Sequence, residues 1–293
     1  MQTIRALIEA ARPRQWVKNG IVFAGLVFGE KALETGALLI AVAAFVIFCI
    51  LSSASYIGND LVDAKRDRQH PLKKNRPIAS GRLSPGAARA AYALLAVAGC
   101  CVAALLGMRF LLLAAGYLFL GIVYSRWLKA LPILDVFAVA AGFVIRAAAG
   151  AEAVNVAVSP WLLICTMLLS LFLALSKRRH ELALMTDQAG EHRPALSHYS
   201  PYLLDQMISV VTASTVVSYC LYTLWPETID KFGTHNLVYT VPFVLFGIYR
   251  YLYLVHRAEQ GGEPDRVLLT DVPMLVDVAL WLLAVVLIIY VHP

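Results

Sequence analysis

The chain has 293 residues, of which 60% are hydrophobic and only 15% charged, and its mean hydropathy is +0.70. That composition excludes a soluble globular domain and a disordered chain, and indicates a polytopic membrane protein. Lys and Arg exceed Asp and Glu by 25 to 19, a net charge of +6, which suits anionic lipid heads or phosphorylated small molecules better than nucleic acid.

In chain order, residues 1–18 form a basic, partly amphipathic arm without a signal-peptide cleavage pattern, expected to lie at the membrane interface. Nine apolar stretches follow, at 16–33, 36–58, 86–107, 110–128, 132–152, 160–176, 203–225, 236–255 and 272–291, and each is read as a transmembrane helix. The first is the weakest, with a clean apolar core only from Gly20 to Gly29. With the N-terminus inside, only Lys31, Arg109 and Lys231 of the 25 cations fall outside and Arg146 lies within a span, while the rest are inside. The expectation is an all-α protein with nine spans, N-in and C-out. It forms one membrane-embedded domain over 1–293, with cytoplasmic loops at 59–86 and 177–202. Gly116, Gly121, Gly142 and Gly150 permit close helix packing. Cys49, Cys100, Cys101, Cys165 and Cys220 lie in spans without metal or disulfide spacing and read as packing residues.

The densest polar stretch leaves the second span as Asn59-Asp60-Leu61-Val62-Asp63-Ala64-Lys65-Arg66-Asp67, followed by Arg68, His70, Lys73, Lys74 and Arg76. At the helical pitch, Asp63 and Asp67 lie about 60° and 20° from Asp60 over about 10 Å of axis, so the three acids share one face. Hard oxygens with positions left for substrate phosphates suit Mg²⁺, and the following cations can grip the same phosphates. The plainer alternative is a solvated loop whose acids balance its bases. Three carboxylates directly after an apolar span favour a site, because charge beside a bilayer is costly.

Two charges fall in the fifth span. Asp135 and Arg146 are about 20° apart in projection but about 16 Å apart along the axis, so they cannot pair with each other. Arg146 is expected to neutralise an acid on a neighbouring helix rather than bind a lipid phosphate. Asp135 either joins a polar cavity or caps its helix. The sixth span exits as Ser176-Lys177-Arg178-Arg179-His180-Glu181. Polar exits from the second and sixth spans on one side hint at two related four-helix halves with a site between them. Glu181, four residues after Lys177, is placed to orient that lysine or assist a metal, whereas Arg179 and His180 read as solvated surface. The stretch 186–201 is either a lid that brings Arg193 to a phosphate or an ordinary connector. His192 and His198 lack zinc spacing.

The pattern Asn59-Asp60-x-x-Asp63-x-x-x-Asp67, the Arg76-Pro77-Ile78-Ala79-Ser80-Gly81 that follows, Tyr124-Ser125-x-x-Leu128-Lys129 and nine spans together resemble the UbiA superfamily of intramembrane prenyltransferases, over nearly the whole chain. That resemblance implies helices around a central cavity with a lateral opening for an isoprenoid. Members of the superfamily usually carry a second aspartate-rich motif on the sixth helix for a second Mg²⁺; here Ser176–Glu181 stands in its place. This departure, with Arg12-Pro13-Arg14-Gln15-Trp16-Val17-Lys18-Asn19 and Asp67-Arg68-x-His70-Pro71-x-Lys73, is similar to one branch, the decaprenyl-phosphate phosphoribosyltransferases. The branch implies Mg²⁺-dependent transfer of 5-phosphoribose from phosphoribosyl pyrophosphate (PRPP) to a polyprenyl (decaprenyl) phosphate. It places the work on the cytoplasmic side of a bacterial inner membrane, feeding cell-wall polysaccharide such as arabinogalactan.

On that resemblance, Asp60, Asp63, Asp67 and Asn59 are the metal ligands. Lys177 and Arg178 lead the phosphate-binding candidates, with Arg76, Lys73 and Lys18 behind them. Tyr124, Lys129, Glu181 and Arg193 are possible substrate contacts, although Tyr124 and Lys129 also suit an interfacial anchor. Acceptor attack calls for no general base, because a phosphate monoester is already anionic. The expected partners are PRPP, polyprenyl phosphate and the membrane; a homo-oligomer is left open. One alternative is prenyl transfer from a polyprenyl diphosphate to an aromatic or lipid acceptor, weakened by the missing second acidic motif. Another is a transporter of a phosphorylated metabolite, which would favour broken helices at the midplane over charges gathered at one rim.

Overall fold

The computed structural model describes residues 2–70, 73–184, 194–257 and 270–291, and these are helical, with no strand among them. Helix α1 (Gln2–Ala11) is followed by a 3-10 segment (Pro13–Phe23) that runs into a short α2 (Ala24–Phe28). Then come α3 (Thr35–Asp67), α4 (Pro85–Leu105), α5 (Met108–Arg126) and α6 (Leu134–Ala153). The chain continues with α7 (Pro160–Leu184), α8 (Pro201–Leu224), a short α9 (Pro226–Phe232), α10 (Val241–Arg257) and α11 (Val272–Tyr290). It divides into two compact units, the first holding α1 to α6 and the second α7 to α11.

Among the described residues eight helices are long and apolar enough to cross a membrane: α3 to α8, α10 with the 3-10 turn before it, and α11. The expected span at 16–33 is not among these eight, because it is built of 3-10 and short α pieces rather than one long helix. Its 3-10 and short α pieces form because Asn19 is fully buried and spends its amide on α3, donating from Nδ2 to Ser52 Oγ at 3.2 Å and Cys49 Sγ at 3.3 Å. The same segment is pressed onto α6. A Cβ at Gly150 would stand 2.0 Å from Val22 O, and one at Gly25 would stand 2.5 Å from Ala151 Cα, so only glycine permits the crossing. Tertiary contact has overridden the apolar pattern.

Helix starts follow local chemistry. Ser84, Ser200 and Asp271 accept from the backbone N–H of Ala87, Leu203 and Met274 at 3.2, 3.1 and 3.0 Å, with a proline at the first helical position after the two serines and at the second after Asp271. In the first unit, Val22, Ile47, Phe48, Leu51, Phe110 and Tyr117 form one apolar cluster. A second cluster joins Ala6 and Ala10 of α1 to Ile57, Ile78, Leu83 and Ala88, which seats the N-terminal arm while Ile4 and Ile8 stay exposed. In the second unit, Tyr219 meets Thr240 Oγ1 at 2.7 Å and accepts from Trp281 Nε1 at 3.0 Å, tying α8 to α11 and to the turn before α10. All five cysteines are free thiols, Cys49 buried and Cys101 exposed.

Length positions the polar motifs. At 33 residues α3 is about 50 Å long, against about 30 Å of hydrocarbon, so its last turns project beyond the apolar region. The stretches at 59–86 and 177–202, expected as loops, therefore begin as helix: α3 runs to Asp67 and α7 to Leu184.

Candidate functional site

The end of α3 presents its acids on one face, and three cations meet them. Arg12 Nη2 donates to Asp60 Oδ1 at 2.5 Å, and Arg76 Nη1 donates both to Asp60 Oδ1 at 3.0 Å and to Asp67 Oδ2 at 2.8 Å. One guanidinium thus bridges carboxylates seven residues apart, as the helical repeat requires of a shared face. Asp63, about 60° round the helix from Asp60, pairs with Lys129 beyond the end of α5. Asp60 is only 2% exposed, and Asp67 is buried too.

The N-terminal arm delivers Arg12. This residue sits in the left-handed region at φ 53°, ψ 61°, between α1 and the 3-10 segment, a conformation that costs a non-glycine residue about 1 kcal/mol or more. A polar clasp holds the turn: Trp16 Nε1 donates to Ser53 Oγ at 3.0 Å, and that hydroxyl lies 3.1 Å from Ala11 O and 2.7 Å from Cys49 O. Arg12 also lies over the Tyr56 ring at 5.2 Å. Arg12 opens the Arg12–Asn19 stretch that carries the family resemblance, but no local pattern assigns it to Asp60, 48 positions away.

The donor set suits a divalent cation shared with a substrate better than one held by protein alone. Among the described residues no three His, Cys, Asp or Glu side chains converge into a cage of their own. Each aspartate is engaged through a single oxygen, and Asn59 Oδ1 is buried without a hydrogen-bond partner among the described residues. Mg²⁺ is commonly held by one or two carboxylates, with phosphate and water oxygens completing the octahedron. Hard oxygens along one helix face, with an orphaned amide oxygen beside them, fit that pattern.

The other candidates divide by unit. In the first unit, Lys73 is half-buried after Asp67, and its backbone N–H donates to the ring Nδ1 of buried His70 at 3.3 Å. Lys18 binds the Gln15 side chain, and Tyr124 is half-buried near the end of α5. In the second unit, Lys177 is half-buried, while Arg178 is 3% exposed and donates from Nη1 to Glu181 Oε2 at 2.6 Å. The Glu181 carboxylate, which the sequence places to orient Lys177, accepts from Arg178, one residue on. Arg179 and His180 are not solvated surface: Arg179 Nε donates to Asp205 Oδ1 at 2.8 Å, and His180 is buried. Arg193, and with it residues 186–193 of the suggested lid, lies outside the described residues.

Arg146 also departs from expectation. It is 5% exposed and meets no acid among the described residues. Instead Nη2 donates to Tyr117 Oη at 2.7 Å and Nη1 to Gly142 O at 3.3 Å, with the Tyr117 and Phe143 rings at 4.6 and 5.0 Å. Aromatic faces replace the missing carboxylate. Asp135 is fully buried in the first turn of α6, whose cap residue is Ile133. Asp277 in α11 is also buried, at 8% exposure.

With this geometry in hand, comparison with known proteins gives consistent matches. Residues 20–270 match the UbiA prenyltransferase family. A protein of Corynebacterium glutamicum named decaprenyl-phosphate phosphoribosyltransferase is 36% identical over 293 residues, covering 98% of this chain and 87% of its own. A protein of Mycolicibacterium smegmatis with the same name is 32% identical, covering 92% and 87%. Among solved structures, a UbiA homolog from Archaeoglobus fulgidus bound to GPP and Mg²⁺ aligns with a TM-score of 0.73 at 19% identity, over 97% of this chain and 99% of that one.

Proposed function

The chain belongs to the UbiA prenyltransferase family, and from that membership we propose that it transfers 5-phosphoribose from PRPP to a polyprenyl phosphate and releases pyrophosphate. The reaction runs at a Mg²⁺-dependent site on the cytoplasmic side of a bacterial inner membrane, in a chain inserted N-in and C-out. Its product is a lipid-linked pentose that supplies cell-wall polysaccharide. What supports this reading above all is identity of 32–36%, sustained over 92–98% of the chain, with proteins named for that activity. The end of α7 supports it further: Lys177, Arg178 and Arg179 stand there in place of a second acidic motif.

In this proposal Asp60, Asp63, Asp67 and Asn59 hold the cation, which supplies charge to the departing pyrophosphate when bound. Arg76 and Lys129, already beside these acids, turn to phosphate oxygens as substrate arrives. Lys73, Lys18 and Lys177 carry further phosphate charge; Tyr124 and Arg193 are additional contacts. Arg178, buried against Glu181, acts by holding the end of α7. The C1–O bond to pyrophosphate breaks with its electron pair leaving on pyrophosphate. A lipid phosphate oxygen forms the new bond to C1 from the opposite face, inverting the centre. Neither bond change moves a proton, so no side chain has to act as base.

A second reading, prenyl transfer from a diphosphate to another acceptor, draws on the fold relative bound to GPP and Mg²⁺. One assay separates the two. Purified protein receives labelled PRPP with polyprenyl phosphate and Mg²⁺, or a prenyl diphosphate with hydroxybenzoate, and lipid extracts are analysed by mass. Product in the first mixture is expected; product in the second alone refutes the proposal.

A further inference from the structure

The acidic motif is electrically balanced by cations of the same unit. Asp60, Asp63 and Asp67 are met by Arg12, Arg76 and Lys129, each within ion-pair distance. Asp60 is the hub, because its Oδ1 takes both guanidiniums in a place with almost no water access. A divalent ion approaching these oxygens meets two fixed positive charges at hydrogen-bond distance from the atom it needs. Those charges are poorly screened there. An incoming diphosphate reverses the balance, since guanidinium forks prefer phosphate oxygens and leave the carboxylates to the metal.

Resting on the reading that these acids hold the cation, we propose that Arg12 and Arg76 are resident counter-ions of the motif. They deny it to a free divalent ion and release it only when a diphosphate takes the guanidiniums over. Arg12 is thereby a binding residue of the site, held by Asp60 at rest and by the diphosphate when it is bound. Its backbone supports the assignment. A non-glycine residue is kept at φ 53° by the Trp16–Ser53–Ala11 clasp, and the strained turn carries its guanidinium onto Asp60. Strain of this kind persists where surrounding contacts over-determine it, and it gathers at functional sites.

The consequence is coupled binding. Metal and diphosphate each raise the other's affinity by one common factor, as linkage demands. The full-length protein in detergent is titrated with Mn²⁺, and bound ion is followed by electron paramagnetic resonance, with and without inorganic pyrophosphate; a reverse titration measures pyrophosphate with and without Mn²⁺. The wild type is expected to bind free Mn²⁺ weakly and to gain about tenfold or more from pyrophosphate, the same factor appearing in reverse. Arg12→Gly removes the guanidinium and suits the left-handed backbone, Arg76 still pairs with Asp60, and thermal unfolding in the same detergent checks that the variant is folded. It is expected to bind free Mn²⁺ about tenfold tighter and to lose most of the coupling, whereas Arg12→Lys retains the wild-type pattern.

Equal free-Mn²⁺ affinity and unchanged coupling in wild type and Arg12→Gly overturn the counter-ion proposal. Asp60→Asn separates this from failure of the underlying reading. If that variant loses Mn²⁺ while Arg12→Gly is silent, only the counter-ion role falls. If it binds Mn²⁺ with pyrophosphate as the wild type does, the acids are not the metal site and both fall.

Discussion

Replacing Asp60 with Asn exchanges one oxygen for an amide nitrogen and removes the charge at the centre of the site. Two consequences have different sizes. Breaking a fully buried ion pair costs about 3–5 kcal/mol. Here Arg12 and Arg76 are 27% and 25% exposed, and Arg76 keeps Asp67 at 2.8 Å. Water and Asp67 recover part of the loss, and Asn Oδ1 still accepts a neutral hydrogen bond, so the expected destabilisation is about 1–2 kcal/mol. The effect on turnover is larger. Residues that merely orient a metal's ligands change affinity or activity by 10–100-fold, so losing a ligand charge is expected to cost at least about a hundredfold in kcat/KM. Activity is measured with labelled donor and polyprenyl phosphate across a range of Mg²⁺ concentrations, and stability by thermal unfolding in the same detergent. A folded Asp60→Asn protein with kcat/KM within about threefold of wild type refutes the assignment of Asp60 to the metal.

Three further outcomes are expected. Tyr117→Phe removes the acceptor 2.7 Å from Arg146, destabilising by about 1.5–3 kcal/mol, and adding Arg146→Met recovers most of it because both partners become apolar; equal stability of Tyr117→Phe and wild type contradicts this. Gly150→Ala drives a Cβ to 2.0 Å from Val22 O, whereas one at Gly116 meets nothing within 4 Å, so the first is expected to lose about 3 kcal/mol or fail to fold and the second to behave as wild type. Asp271 caps α11 and accepts from Arg250 at 2.8 and 3.1 Å, and that pairing holds its carboxyl below the usual aspartate range. Its contribution is then complete above the unfolded value of about 3.9 and lost as pH falls through the lower folded value. The stability gap between wild type and Asp271→Asn, measured by thermal unfolding, should therefore close on acidification.

What the sequence made legible follows from local periodicity. The shared face of Asp60, Asp63 and Asp67 needs only the helical repeat, and the bridging of Asp60 and Asp67 by Arg76 agrees with it. The apolar lengths of α3 to α8, α10 and α11 are equally local. What failed depends on choices between distant segments. Nothing near Asn19 announces that its amide will be buried against Ser52 and Cys49, breaking an expected α-helix into 3-10 turns. Nothing near Arg146 announces that aromatic rings will stand where a carboxylate was expected. Asp63 finds Lys129 across 66 positions and Asp60 finds Arg12 across 48.

The two kinds of information meet at the end of α3. An apolar run sets how far the helix projects, the heptad spacing lines up the acids, and both are written within one segment. The opposing charge arrives from three other places in the chain: the N-terminal turn, the stretch after α3 and the end of α5. A local motif can state which oxygens are available to a cation. Whether they are available at rest is decided by residues the motif does not contain, and Arg12, with its strained backbone and its contact with the most buried of the acids, governs that balance.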